Sequence, residues 1–247
     1  MNPLYKSNTR ITYYDLDCHG QLKLSALLRM VHIAADNNAN ELGVGYTQLA
    51  PLNMSFILQR FGVSASRLPA YGETVTLRTW PAAIQRGLFT RQGDMYDANG
   101  VKIMEWASLW LLFDLAARKI LRPTALPVTL PTVEENGVTI TPDKVILPLE
   151  WDTWGQAHSC HTHTVQYADV DTNMHMNNSI YGDIISNAIF NKEAPISGWA
   201  QAQINYLAET RLGEDITVRA RRDGGNVFVR GDAPGRVSFL AQFYHIK

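Results

Sequence analysis

The chain has 247 residues, 46% of them hydrophobic and 18% charged, which excludes a disordered, collagen-like or low-complexity protein. A chain of this length buries a sizeable core without disulfide or metal staples. Lys+Arg 22 against Asp+Glu 23 gives a formal net charge of −1, so no global positive field gathers nucleic acid or an anionic membrane.

The N-terminal MNPLYKSNTR lacks the apolar core of a signal peptide and soon becomes strand-like. Leu24–Leu42 is rich in helix formers and stops at Gly43. Its early turns are apolar nearly all round, the pattern of a helix wrapped by sheet. Strands are predicted at Phe56–Leu68, Thr74–Trp80, Leu88–Asp97 and Val101–Phe113, with Asn99–Gly100 as the hairpin signal between the last two. Pro123–Trp154 carries five prolines and reads as a partly extended linker. A second helix, capped by Asn178, is expected to run to about Phe190. Strands follow at Ala200–Ala208, Asp215–Arg222, Val227–Arg230 and Val237–His245. The longest apolar runs, such as Leu109–Phe113, are far too short to span a bilayer. The expectation is a soluble, cytoplasmic protein without membrane insertion.

The chain also repeats itself. Ile11–Val31 lies over Val165–Ile185, with Tyr13 on Tyr167, Asp15 on Asp169, Asp17 on Asp171 and Ser25 on Ser179, an offset of 154 residues. Gly72–Arg78 lies over Gly213–Arg219 at an offset of 141. Each copy reads as strand, buried helix, then several strands. That α+β pattern resembles the hotdog fold in its double form: two tandem repeats, each a long helix wrapped by an antiparallel sheet. The expected division is an N-terminal hotdog at 1–124, a linker at 125–156 and a C-terminal hotdog at 157–247.

Polar chemistry concentrates in Asp169-Val-Asp171-Thr-Asn173-Met-His175-Met-Asn177-Asn178, between a strand and the second helix. Asp171, Asn173 and His175 alternate, so one pocket can receive a carboxylate, an amide and an imidazole. Imidazole is the side chain whose ordinary titration lies near neutrality. Free backbone N–H groups at the helix start can polarise a carbonyl oxygen. The alternative is a plain capping turn with a packed histidine. The first copy keeps Asp15 and Asp17 but has His19 and Gln21 where the second has Asn173 and His175. Capping alone does not ask for that difference, which points to one working site per chain.

The motif D-x-D-x-N-x-H-x-N-N, followed by Tyr181, resembles that of the acyl-acyl-carrier-protein thioesterases of plants and bacteria. Thr79-Trp80, Arg86-Gly87, Ala107–Asp114 and the basic Arg118–Pro123 are similar too. The resemblance implies a double hotdog that hydrolyses the thioester between a fatty acyl group and the phosphopantetheine of an acyl carrier protein, with no cofactor. It places the family's Asp, Asn and His on Asp171, Asn173 and His175, and its Glu on Glu209 in Tyr206-Leu-Ala-Glu209. Plant members carry a Cys after that Glu, whereas this chain has Thr210, which argues against a cysteine nucleophile. The base, Glu209 or His175, stays open, as does direct water attack against attack by Asp171. An acyl-CoA thioesterase of the same fold and a non-catalytic acyl-binding hotdog are the rival readings. Whether double-hotdog chains pair further into homodimers is open as well.

The tract His158-Ser-Cys160-His161-Thr-His163 matches no standard zinc spacing, so no metal site is expected. Two cysteines are too few for a disulfide framework. Gly43-Val-Gly45 lacks a full dinucleotide fingerprint, and no G-x-S-x-G elbow occurs. Arg78, Arg86, Arg91, Arg219, Arg221 and Arg222 are candidates for a surface that meets an acidic carrier protein.

Overall fold

Alternating apolar and polar residues dictate half-buried strands, and all of these strands join one antiparallel sheet. The computed structural model describes residues 2–133, 137–149, 151, 159–189 and 199–245. Its first half contains β1 (Tyr5–Arg10), α1 (Leu24–Glu41), a helical turn α2 (Tyr46–Leu49), β2 (Met54–Ala65), β3 (Thr74–Gln85), β4 (Leu88–Tyr96), β5 (Lys102–Asp114) and a short β6 (Lys119–Leu121). The second contains β7 (Ser159–Thr164), α3 (Ile180–Ile189), β8 (Trp199–Tyr206), β9 (Asp215–Asp223), β10 (Asn226–Ala233) and β11 (Arg236–His245).

The strand order is β1-β3-β4-β5-β2-β8-β11-β10-β9-β7, with β6 attached to β5. The two halves therefore have the same order and meet at β2–β8, where Phe61 pairs Ile204 and Val63 pairs Ala202. The repeat offsets hold in the register. Tyr5 pairs Thr79 in the first half, and Ser159 pairs Ala220, the residues 154 and 141 positions later. Pairing β2 with β8 turns two exposed edges into an interior ladder.

Both helices lie against this sheet and against each other. Leu24 to Leu28 of α1 are all buried, as the all-round apolar start requires. The core they share with Phe61, Trp106, Ile184, Ile204 and Phe239 runs through both halves without a break. Each fully buried side chain of this size stabilises the fold by about 1.5–3 kcal/mol. The helices touch where Gly182 faces the start of α1: a Cβ there would stand 2.6 Å from the Ser25 backbone nitrogen. Beside it, Ser25 Oγ donates to Asp183 Oδ1 at 2.5 Å.

One expectation needs correction. The second helix begins at Ile180, and Asn177, not Asn178, supplies the local acceptor: its Oδ1 takes hydrogen bonds from Ser179 N at 2.9 Å and Ser179 Oγ at 2.8 Å. Phe190 lies outside the described residues. The proline-rich stretch, expected as a partly extended linker, packs on the sheet where it is described. Residues 137–149 form a strap over the sheet. Glu105 Oε1 accepts from Thr139 N and Ile140 N, Asn205 Oδ1 accepts from Val145 N at 2.7 Å, and Gln203 Nε2 donates to the Thr141 carbonyl at 2.9 Å. Ile140 and Val145 of the strap are buried. Side-chain amides of β8 thus do the pairing that a neighbouring strand would otherwise do. No helix among the described residues is long and apolar enough to cross a membrane.

Candidate active site

The polar segment folds into a tight loop closed by a bridge between Val170 and Met176. Asp171 N donates to the His175 carbonyl at 3.1 Å, Met174 N to the Asp171 carbonyl at 3.0 Å, and Asn173 N to Asp171 Oδ1 at 2.8 Å. Met174 holds φ 65°, a left-handed conformation that non-glycine residues seldom adopt. In the first copy the equivalent residue is Gly20, at φ 73°, and Asp17 Oδ1 accepts from His19 N and Gln21 N. The same turn is thus built twice, and the aspartate braces it both times. What differs is the load: Asn173 and His175 occur only in the second.

The loop hangs from the connection between β8 and β9 that carries Glu209. Met176 N donates to the Thr210 carbonyl at 2.7 Å, which sets the flanking residues His175 and Glu209 beside one another. Arg236 Nη2 fixes the same connection by donating to the Glu209 carbonyl at 2.8 Å. The Glu209 carboxylate accepts from Arg211 and lies 3.5 Å from Arg118 Nη2. The Arg211 hydrogen bond above all, with the charges of Arg211, His175 and Arg118, holds this carboxyl below the usual glutamate range, although partial burial works the other way. Thr210 is fully buried, its hydroxyl 2.8 Å from Ser238 Oγ and 3.1 Å from Tyr181 Oη. It is a structural hydroxyl and is not presented to solvent.

A cavity of about 850 Å³ opens beside the loop. Asp171, Asn173, Asn177 and Asn178 form its second-half wall. The remaining lining comes from α1, α2, the strands of the first half and residues 123–132, with Leu49, Met54, Phe56, Phe89, Trp110 and Leu130 among its apolar members. His175 and Glu209 are not in that lining. Asp171 and Asn173 therefore reach the cavity, while His175 of the same loop and Glu209 do not line it.

Sequence reasoning missed Arg211 and Arg118 as partners of Glu209. The i, i+2 spacing of Glu209 and Arg211 on an extended chain was the available signal. Most of the arginines assigned to a docking surface are engaged elsewhere. Arg78 pairs with Asp94, Arg219 with Asp232, Arg221 stacks on Trp151, and Arg91 lines the cavity. Arg86 is exposed in the β3–β4 turn. His163 of the histidine tract bonds Asp169 Oδ2 at 2.7 Å, and His158 lies outside the described residues.

The sequence matches the acyl-ACP thioesterase N-terminal domain over residues 2–125 and the acyl-ACP thioesterase C-terminal domain over 155–229. The chain belongs to the acyl-ACP thioesterase family. Among relatives, it is 22% identical over 186 residues to the chloroplastic palmitoyl-acyl carrier protein thioesterase of Gossypium hirsutum. That match takes in 72% of this chain and 45% of the cotton protein, so the chain spans less than half of that relative's length. The acyl-ACP thioesterase structure from Bacteroides thetaiotaomicron superposes with a TM-score of 0.84 at 20% identity, covering 99% of this chain and 98% of that one. The 12:0-ACP thioesterase of Umbellularia californica gives 0.79 at 18% identity, over 99% and 97%. Two acyl-ACP thioesterases from a bacterium and a plant thus share the α+β double-hotdog fold described above.

Proposed function

We propose that the chain hydrolyses the thioester joining a fatty acyl group to the phosphopantetheine of an acyl carrier protein, releasing free fatty acid. The observation that carries this reading is the composition of the cavity: its apolar walls come from the first half, and its polar border is the Asp171–Asn173 loop of the second. In this reading residues 1–124 hold the acyl chain, 125–156 connect and cover, and 157–247 supply the chemistry.

The assignment within the site follows from charge. Glu209, held as an anion by Arg211 and Arg118, is a weak base but a good neighbour for an imidazolium. His175 then takes the proton from water as the water oxygen attacks the thioester carbonyl, and returns it to the sulfur as the C–S bond breaks. The Asn173 amide donates to the carbonyl oxygen or orients the water. Asp171 keeps the turn that presents both. No hydroxyl or thiol nucleophile is required, consistent with Thr210 being sequestered among Tyr181 and Ser238. The exposed Arg118 and Arg211 present positive charge at this end to an acidic carrier.

The experiment is fatty-acid release from acyl-carrier-protein and acyl-CoA thioesters of matched chain length across several salt concentrations. The carrier thioester is expected to be preferred, with a preference that shrinks as salt screens the contact. Equal turnover of both donors without salt dependence contradicts the carrier assignment. Failure to hydrolyse either contradicts the thioesterase reading.

A further inference from the structure

The cavity contains polar chemistry that a plain hydrocarbon chain does not use. Arg91 of β4 lines it, and among the described residues no carboxylate lies within ion-pair distance of this guanidinium. Its Nη1 donates to Asn38 Oδ1 at 2.8 Å and to Thr79 Oγ1 at 3.3 Å, whereas Nε and Nη2 find no partner among the described residues. His32 of α1, also in the lining, packs edge-on against Trp110 with ring centroids 5.9 Å apart. Its Nε2 is buried without a hydrogen-bond partner, and so is Oγ1 of Thr90. Burial pushes the Arg91 guanidinium down to about 10 and the His32 imidazole down to about 4, so at neutral pH the first is a cation and the second is neutral.

Buried cations are ordinarily paired with anions, and buried polar atoms are ordinarily bonded. Here a cation without an anion partner lines a cavity whose walls are mainly apolar on the first-half side, with His32 and Thr90 beside it and the carboxylates of Asp36 and Asp171 elsewhere in the lining. Ligand sites have this composition: apolar walls with a few polar groups that select. We propose that Arg91, with His32, recognises an oxygen substituent on the acyl chain, a hydroxyl, oxo or carboxylate group. The pocket thereby prefers such a chain over the plain saturated chain of equal length. This rests on the cavity being the acyl pocket of the thioesterase proposed above.

The test is calorimetric binding of pantetheine amide analogues, in which nitrogen replaces the thioester sulfur and hydrolysis does not occur. The set comprises the dodecanoyl amide and its β-hydroxy, β-oxo, ω-hydroxy and ω-carboxy forms. At least one oxygenated analogue is expected to bind the wild-type protein about tenfold tighter than the plain one. Arg91→Met should bring the two within about twofold. His32→Phe removes no hydrogen bond that His32 makes within the protein and keeps the ring contact with Trp110, so it should fold and lower the same preference. Plain dodecanoyl binding as tightly as every oxygenated form to the wild type overturns the inference. Binding of none of the analogues overturns the acyl-pocket reading as well. A binding preference in a protein that hydrolyses no thioester leaves this inference standing and removes the function proposed above.

Discussion

Glu209 is an anion held by two guanidinium groups, and the role proposed for it rests on that. Arg211 is the largest cause of its lowered titration, so removing Arg211 raises the Glu209 pKa. If the anion supports His175, the acidic limb of the kcat/KM profile in Arg211→Met moves to higher pH. A limb that stays in place, or moves lower, contradicts the assignment. Glu209→Gln removes the charge and should lower kcat by about 10²–10⁴-fold, the usual range for an acid–base group. Its neighbour has the opposite expectation. Thr210→Ala takes one member from the buried hydroxyl cluster with Tyr181 and Ser238, which costs about 1–3 kcal/mol of stability. Turnover at a temperature well below melting should stay within about threefold of wild type, because that hydroxyl meets no substrate. A thermal melt and a steady-state rate on the same sample separate the two effects. Loss of hydrolysis in a folded Thr210→Ala protein would require a hydroxyl nucleophile instead.

At the scale of elements, the two copies of the loop act as each other's control. Asp17 and Asp171 accept backbone N–H groups in the same turn, so Asp17→Ala and Asp171→Ala should loosen their loops alike. Only the second loop carries Asn173 and His175. Asp171→Ala should therefore lower kcat by about 10²-fold or more, and Asp17→Ala should stay near wild type. Similar losses from both would mean that the first loop also works. The helices offer a packing test. Gly182→Ala places a Cβ 2.6 Å from the Ser25 backbone nitrogen, where no flexible side-chain end can yield. The change should destabilise the fold by about 1–3 kcal/mol, read as a lower denaturant midpoint with an unchanged slope.

Across the whole molecule, what was legible in the sequence was what repeats or alternates. The eight strands with expected bounds and both long helices fall within a few residues of them, apart from the longer β3, while the short edge strands β1 and β7 had been given no bounds. The repeat, read from Tyr13, Asp15 and Asp17, reappears as matched register at opposite ends of the sheet. The strap was not legible. Its partners are Glu105, Gln203 and Asn205, polar residues on strands distant in sequence, and five prolines point to a linker whatever the chain packs on. The Arg118 contact of Glu209 was hidden for the same reason, since Arg118 arrives from the other half, whereas Arg211 stands only two residues away. The four candidate residues were named from the family resemblance, and their unequal access to the cavity was not legible. In the proposed reading the same cavity sets the chain length. Ala35 of α1 lines it, so Ala35→Phe fills part of the space and should shift preference toward shorter acyl chains while the best substrate turns over at a comparable rate. An equal loss on every chain length would detach the cavity from the acyl group.

The central claim is that the second-half loop hydrolyses a carrier-bound acyl thioester beside a pocket built by the first half. The measurement that tests it most directly is fatty-acid release from an acyl carrier protein thioester by the wild type and by His175→Ala, with melting temperature followed alongside. The account expects release by the wild type and a kcat about 10²–10⁴-fold lower in His175→Ala, at an unchanged melting temperature. No release by the wild type, or release by His175→Ala at the wild-type rate, would contradict it.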